Sequence, residues 1–477
     1  MLRFAYFYRR KKLKSYAKMK KIIITTIVVS LLFVGCNSST ERSGSGSPKR
    51  EAANISHVKH PDWSVAANIY EVNLRQFTKE GTLKAFIRHM PRLRNMGVDI
   101  LWFMPIQPIG KKNRKGTMGS YYSVRDYEEV DHDYGYIDEF QKVVELAHQL
   151  GMYVILDWVA DHTAWDHPWV TSHPEWYAKD ENGNMIAPHG WSDVVQLDYD
   201  NQDMRRAMME AMKYWIVEAD IDGFRCDVAD MVPLDFWENT RKYLEKTKPL
   251  FMLAEAEDNA LLINAFDMDF GWTLHHITNA VAKGDSSVNA LEDYFNRYNA
   301  HFPEGAYIMN FTSNHDENSW NGTVRERYGE GYKTFAVLMA TVPGMPLIYG
   351  GQEAGLNKRL EFFEKDVIDW KNYPLQDFYR TLLNTKKRNQ ALWNGNLGGE
   401  LVRVKTDHDD AVFAFTRKKY ESAVFVILNL TGETQNITLK GKDYTGKYTN
   451  IFNNEKVTFI EDHQLQLKPW DYRVYEK

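Results

Sequence analysis

The sequence predicts an α/β protein: a (β/α)8 TIM barrel with a short insertion after its third strand and an antiparallel β domain at the C-terminus. Three observations predict it. Short, continuously apolar runs alternate with helical patterns from about residue 60 to 390, as parallel strands buried on both faces do. Eight such runs occur, the number that closes a barrel with its helices outside. From Leu401 the rhythm changes to short strand-like runs separated by turns, which predicts antiparallel pairing.

In chain order, Lys18 to Lys21 precede an apolar run, Ile22 to Val34, that ends at Gly35-Cys36. The run is too short to span a membrane and fits the core of a signal peptide, residues 1–36. Phe33-Val34-Gly35-Cys36 resembles the bacterial lipobox, with Phe33 in place of the usual Leu. The resemblance implies that Cys36 is lipidated. Asn37 to Pro48 is rich in Ser and Gly, and residues 37–59 read as a flexible tether. The expectation is a protein of the bacterial cell envelope, held to the membrane by lipid and otherwise soluble.

The barrel is expected over 60–395. Its strands are read at Asn68–Val72, Val98–Phe103, Tyr153–Asp157, Asp222–Asp227, Phe251–Glu255, Ala265–Phe270, Tyr307–Thr312 and Pro346–Gly350. Leu83, Phe86, Ile87 and Met90 fall at helical spacing, as do Phe140, Val143, Val144 and Ala147, and a further helix is read over Met204–Ala219. Residues 161–200 break the beat with a polar, irregular stretch long enough to be a small inserted domain. The last domain, 396–477, is expected to be a β-sandwich.

The chain of 477 residues carries a net charge of −5, which gives no sign of nucleic-acid binding. Its only cysteines are Cys36 and Cys226, so a disulfide framework does not hold it together. The 14 Trp and 27 Tyr offer faces for sugar rings, although large aromatics more often fill cores.

Barrel enzymes carry their chemistry at the C-terminal ends of the strands. Those ends hold Asp157, with His162 soon after, then Arg225 and Asp227, then Glu255, and then His315-Asp316. Arg225 and Asp227 are two residues apart and share one side of a strand, so the cation is expected to lower the carboxylate's pKa. An ordinary strand ion pair accounts for these two alone. Several acids on one rim point to the paired carboxylates of glycoside hydrolysis. A metal site of Asp, Glu and His is the competing chemistry.

Over about 60–477 the chain resembles the α-amylase family, glycoside hydrolase family 13. Asp157–His162, Gly223–Asp227, Leu253–Glu255, Phe311–Asp316, Gln196–Asp198 and Gly344–Glu353 follow that family's motifs in order, and Ile69-Tyr70 opens the motif of the first strand. The resemblance implies that Asp227 is the nucleophile, Glu255 the acid/base and Asp316 the transition-state stabiliser. Glu257, two residues past the motif position, is the alternative acid. Arg225 would orient Asp227, and Asp157 would pair with Arg225. Tyr122 would stack on the sugar in the cleaved subsite, and His162 and His315 would bond sugar hydroxyls. Two departures stand out. Asp161 replaces an Asn that often binds calcium in the family, so a calcium cofactor is left open at that residue. Met231 stands where many members carry a His on the leaving-group side.

The resemblance implies a retaining hydrolase of α-1,4-linked glucans, with an α-glucan as partner and no organic cofactor. A glucanotransferase of the same mechanism is the second reading. A catalytically inactive glycan-binding lipoprotein is a third, and the intact Asp227, Glu255 and Asp316 argue against it.

Overall fold

The computed structural model describes residues 55–477. The expected signal segment, Cys36 and nearly all of the tether lie outside the described residues. In chain order the strands of the first part are β1 (Ile69–Val72), β2 (Ile100–Phe103), β3 (Tyr153–Trp158), β4 (His162–Ala164), β5 (Val194–Gln196), β6 (Gly223–Cys226), β7 (Phe251–Ala254), β8 (Met268–Phe270), β9 (Tyr307–Phe311) and β10 (Met345–Tyr349). All but β4 and β5 form a closed parallel barrel in the order β1-β2-β3-β6-β7-β8-β9-β10, and β10 pairs back onto β1. Every predicted run holds one barrel strand.

The strands are buried because both faces are covered. Ile69, Trp102, Ile155, Leu253, Phe270, Met309 and Leu347 belong to one buried cluster, which fills the barrel. Their chain neighbours Tyr70, Leu101, Val154, Met252 and Ile308 belong to another, between strands and helices. Counting by two along a strand keeps a side chain on one face. Continuing the inner row toward the C-terminal ends therefore reaches Glu71, Asp157 and Arg225. Gly223 permits this crowding, because a Cβ there would lie 1.8 Å from the Phe251 carbonyl oxygen.

The helix Gln202–Ala219 shows why the outer layer forms. Asn201 caps it by accepting the amides of Asp203 and Met204 at 3.0 and 3.1 Å. Met204, Met208, Met212, Trp215 and Ile216 then fall on the buried face. The helix expected from Leu83 is instead broken into a turn at Leu83–Phe86, a tighter turn at Ile87–His89 and a helix at Met90–Met96. Pro91 has no N–H to continue the first ladder and starts the second instead.

The insertion is less irregular than its composition predicts. β4 and β5 pair antiparallel, His162 opposite Gln196 and Ala164 opposite Val194. The C-terminal domain contains β11 (Glu400–Val404), β12 (Val412–Lys419), β13 (Ser422–Asn429), β14 (Gln435–Thr438), β15 (Gly446–Asn450), β16 (Lys456–Phe459), β17 (Gln464–Leu467) and β18 (Tyr472–Glu476). Six form one sheet, β11-β12-β13-β18-β15-β16, and β14 pairs with β17. Ile437 and Leu467 share a buried cluster with Phe425, Ile427 and Phe459, so the two layers of the expected sandwich are unequal.

Arg417 of β12 fastens this domain to the barrel. Its guanidinium donates to the carbonyls of Thr341 (3.1 Å) and Val342 (3.0 Å), at the C-terminal end of the helix Tyr332–Thr341. No helix among the described residues is long and apolar enough to cross a membrane.

Candidate active site

Arg225 is the hub of the rim. It is fully buried, and Nη1 donates to Asp157 Oδ1 at 2.7 Å and to Asp227 Oδ1 at 3.0 Å. Its Nη2 stands 2.7 Å from Glu255 Oε2. Register explains the first contact, since Asp157 lies directly opposite Arg225 across β3 and β6. The guanidinium lies 5.1 Å from the Trp102 ring and 5.6 Å from the Tyr122 ring. Asp157 accepts the Trp102 indole N–H and the Tyr122 hydroxyl, both at 3.1 Å on Oδ2. Every oxygen of this base carboxylate is therefore bonded.

Chain reversal after β6 brings the acids together. Val228 adopts φ 39° and ψ 48°, a left-handed conformation unusual for a β-branched residue. Its amide donates to Glu255 Oε2 at 3.0 Å. Backbone strain is thus located between Asp227 and the loop that meets Glu255. Glu257 points elsewhere: its carboxylate accepts the amide and hydroxyl of Thr273 at 3.0 and 2.9 Å, at the start of the helix Trp272–Lys283.

The opposite flank is built on β9 and β1. His315 stacks on Tyr122 with centroids 5.4 Å apart, and its Nε2 lies 2.8 Å from the Tyr122 hydroxyl. Its other side rests on Glu71, whose Oε1 accepts from Nδ1 at 2.5 Å. Asp316 Oδ2 lies 3.7 Å from His315 Nε2, and Asp316 Oδ1 accepts the Trp320 indole N–H at 3.1 Å.

Three carboxylates around one guanidinium set the electrostatics. Burial pushes the Asp157 carboxyl up to about 6 against the pull of Arg225. Burial also holds Asp227 well above the ordinary carboxylate range; Arg225 pulls it down, while Glu255 and Asp157 push it up. Arg225 lowers the Asp227 pKa as expected, but desolvation and two neighbouring acids outweigh that one cation. Burial opposes a charge on His315, yet Asp316 and Glu71 together lift it to about 9. Burial likewise raises Asp316, with His315 pulling it down.

Tyr122, Asp157, Arg225, Asp227, Glu255, His315 and Asp316 are thus brought into one constellation. His162 sits at the start of β4 with its Nδ1 3.2 Å from Asp161 Oδ2. The backbone carbonyls around Asp161 accept hydrogen bonds from the protein itself. Tyr127 donates its hydroxyl to the carbonyls of Val159 and His162 at 2.8 and 3.2 Å, and Tyr199 donates to that of Ala160 at 2.8 Å. The Asp161 carbonyl accepts the Leu197 amide at 3.0 Å. Among the described residues, no group of three or more His, Cys, Asp or Glu is placed to hold a metal ion.

Sequence reasoning missed Glu71, Trp102, Trp320 and Phe362. Glu71 left a usable signal, an acid inside an otherwise apolar barrel strand.

A closed (β/α)8 barrel that gathers four carboxylates and a guanidinium on its C-terminal rim has the architecture of a barrel enzyme and carries the kind of paired acids that glycoside hydrolysis uses. The chain belongs to the α-amylase family: the model of the α-amylase catalytic domain matches residues 43–195 and 172–402. A second model, the C-terminal domain of the α-amylase SusG, matches residues 412–472. The α-amylase MalA of Haloarcula japonica is 28% identical over 426 residues, which cover 84% of this chain and 62% of the relative. The chain thus spans less than two thirds of that protein. Among solved structures, a noncanonic maltogenic α-amylase, AmyB, from Thermotoga neapolitana is 30% identical with a TM-score of 0.79, covering 86% of this chain and 98% of its own. An α-amylase from Lactobacillus plantarum is 28% identical with a TM-score of 0.78, covering 86% and 99%.

Proposed function

We propose that this protein hydrolyses α-1,4-linked glucose polymers or oligosaccharides with retention of configuration. The observation that carries the reading is the single guanidinium of Arg225 in contact with Asp157, Asp227 and Glu255. Arg225 fixes the direction of Asp227, and Asp157 anchors Arg225 from below. In the first step Asp227 attacks the anomeric carbon, the glycosidic C–O bond breaks, and Glu255 gives its proton to the departing oxygen. In the second, Glu255 takes a proton from water, the water oxygen attacks the same carbon, and Asp227 leaves. Asp316 stabilises the positive charge that grows on the ring in both transition states. Tyr122 stacks against that ring, and His315 and His162 bond its hydroxyls.

The test is to incubate the protein with maltopentaose and follow the product anomer by NMR. The α-anomer is expected first. The β-anomer first, or no turnover, would sink the reading. Products longer than the substrate would mark a transferase, in which a sugar replaces water in the second step.

The envelope setting rests on the 18–36 segment alone. A Cys36→Ser variant is expected to leave the membrane fraction, and continued sedimentation with membranes would contradict lipidation.

A further inference from the structure

Beside Asp316 the rim rises into an aromatic wall. Residues Glu317–Asn321 wind as a π-helical turn, closed by the Gly322 amide on the Glu317 carbonyl at 2.9 Å. Such turns are rare and frequently mark functional sites. This one turns Trp320 back over the chain, so that its only polar hydrogen is donated to Asp316. Trp320 is nevertheless 44% exposed, among the large apolar side chains most open to solvent, so core packing does not account for it. Phe362 lies 5.2 Å from Trp320 and, at an interplanar angle of 15°, 6.4 Å from Tyr122.

The wall is rigid. Asn318 donates to the Lys358 carbonyl at 3.0 Å and accepts the Leu360 amide at 2.9 Å. Arg75 donates to the Phe362 carbonyl at 3.1 Å. Two loops from different strands are thereby clasped into one surface, which continues the ring of Tyr122 outward from the cleaved position.

We propose that Trp320 positions Asp316 and, with Phe362, forms a stacking platform for the glucose unit next to the one whose bond is cleaved. This rests on the α-glucan reading above. A pyranose presents C–H groups on its faces, which suit flat aromatic rings. A sugar seated on the indole holds it against Asp316, so binding of a neighbouring unit stiffens the carboxylate that faces the transition state. Remote binding energy is then expressed as kcat rather than only as KM. Chain length is sensed at Asp316 through Trp320.

Two variants separate the two roles. Trp320→Phe keeps the ring and removes the N–H; Trp320→Ala removes both. Because Trp320 is 44% exposed, neither opens an enclosed cavity, and melting temperatures check this. Binding of maltopentaose is measured by calorimetry in an Asp227→Asn background, and kcat is measured on maltotriose and maltopentaose with Asp227 intact. With Phe, the Kd is expected to stay within about twofold while kcat falls about tenfold, the effect of one hydrogen bond to a charged group. With Ala, the Kd is also expected to rise about tenfold, and kcat no longer to increase from maltotriose to maltopentaose. Wild-type kcat in the Phe variant would overturn the positioning role, and an unchanged Kd in the Ala variant would overturn the platform. Absence of turnover in the wild type, with binding still lost in the Ala variant, would defeat the hydrolase reading and leave the platform standing.

Discussion

Glu71 and His315 meet inside the barrel through one shared oxygen. Oε1 of Glu71 accepts both the ring Nδ1–H and the backbone N–H of His315, at 2.5 and 3.3 Å. The other oxygen, Oε2, is buried and accepts no hydrogen bond from any described residue. A half-bonded, fully buried carboxylate is costly unless a cation stands beside it, and the imidazolium of His315 is that cation.

The pair, with Asp316 beside it, is expected to set the alkaline limb of activity. His315 is lifted from 6.5 to about 9 despite its burial, so it stays charged at neutral pH. The stabilisation this gives the fold is complete below pH 6.5 and is lost as the pH rises through about 9. In Glu71→Gln the high-pH limb of kcat/KM is expected to fall by about one pH unit, since a neutral partner favours the imidazolium less. Profiles of the two proteins that superimpose would reject this role.

Trp102 and Asp157 are expected to set the acid limb. Asp157 is raised by burial from 3.8 to about 6, so the fold loses stability as that proton leaves between those values. Its carboxylate is bonded by the indole of Trp102. Trp102→Phe removes the donor and leaves the ring beside Arg225. The low-pH limb of kcat/KM should shift upward, with about a tenfold loss at pH 7. A loss of activity that is the same at every pH would count against the assignment.

Asp227 trades stability for chemistry. Its carboxyl is raised by burial, so ionising it at neutral pH opposes folding. Asp227→Asn is therefore expected to lower kcat by about 10⁴-fold or more while raising the melting temperature by roughly 2 °C. A variant that is both inactive and less stable would show that the carboxylate also holds the rim together.

Chelation is expected to do little. The carbonyls beside Asp161 are satisfied by Tyr127, Tyr199 and the Leu197 amide. Prolonged dialysis against EDTA should leave the melting temperature within about 1 °C, and added calcium should not change it, because an ion at free concentration L that binds only the folded state stabilises by RT ln(1 + L/Kd). A large drop reversed by calcium would place an ion at this junction.

The barrel was legible because each strand is buried on both faces and so reads as an unbroken apolar run. Even β8, only Met268–Phe270, lies within its predicted stretch. The C-terminal strands β14 and β17 were not legible, because Gln435–Thr438 and Gln464–Leu467 alternate polar residues with single apolar ones and bury only every second side chain or fewer. Arg225, Asp227, Glu255 and Asp316 stood out as charges at strand ends. The direction of the Asp227 shift did not, since it depends on three acids from β3, β6 and β7 that meet only in space. Trp320 was hidden because the turn that carries it follows the strand end and has no apolar periodicity to announce it.

Closure of the barrel also dictates an order of assembly. Ile69 of β1 pairs with Leu347 of β10, so the first strand to be synthesised waits for the last before both of its edges are covered. During that wait Glu71, which the seam will bury, lacks His315. The Glu71 carboxylate gains its neutralising partner only from the segment that follows β9. Closing the cylinder and seating Glu71 against His315 both draw on the last two barrel strands, β9 and β10.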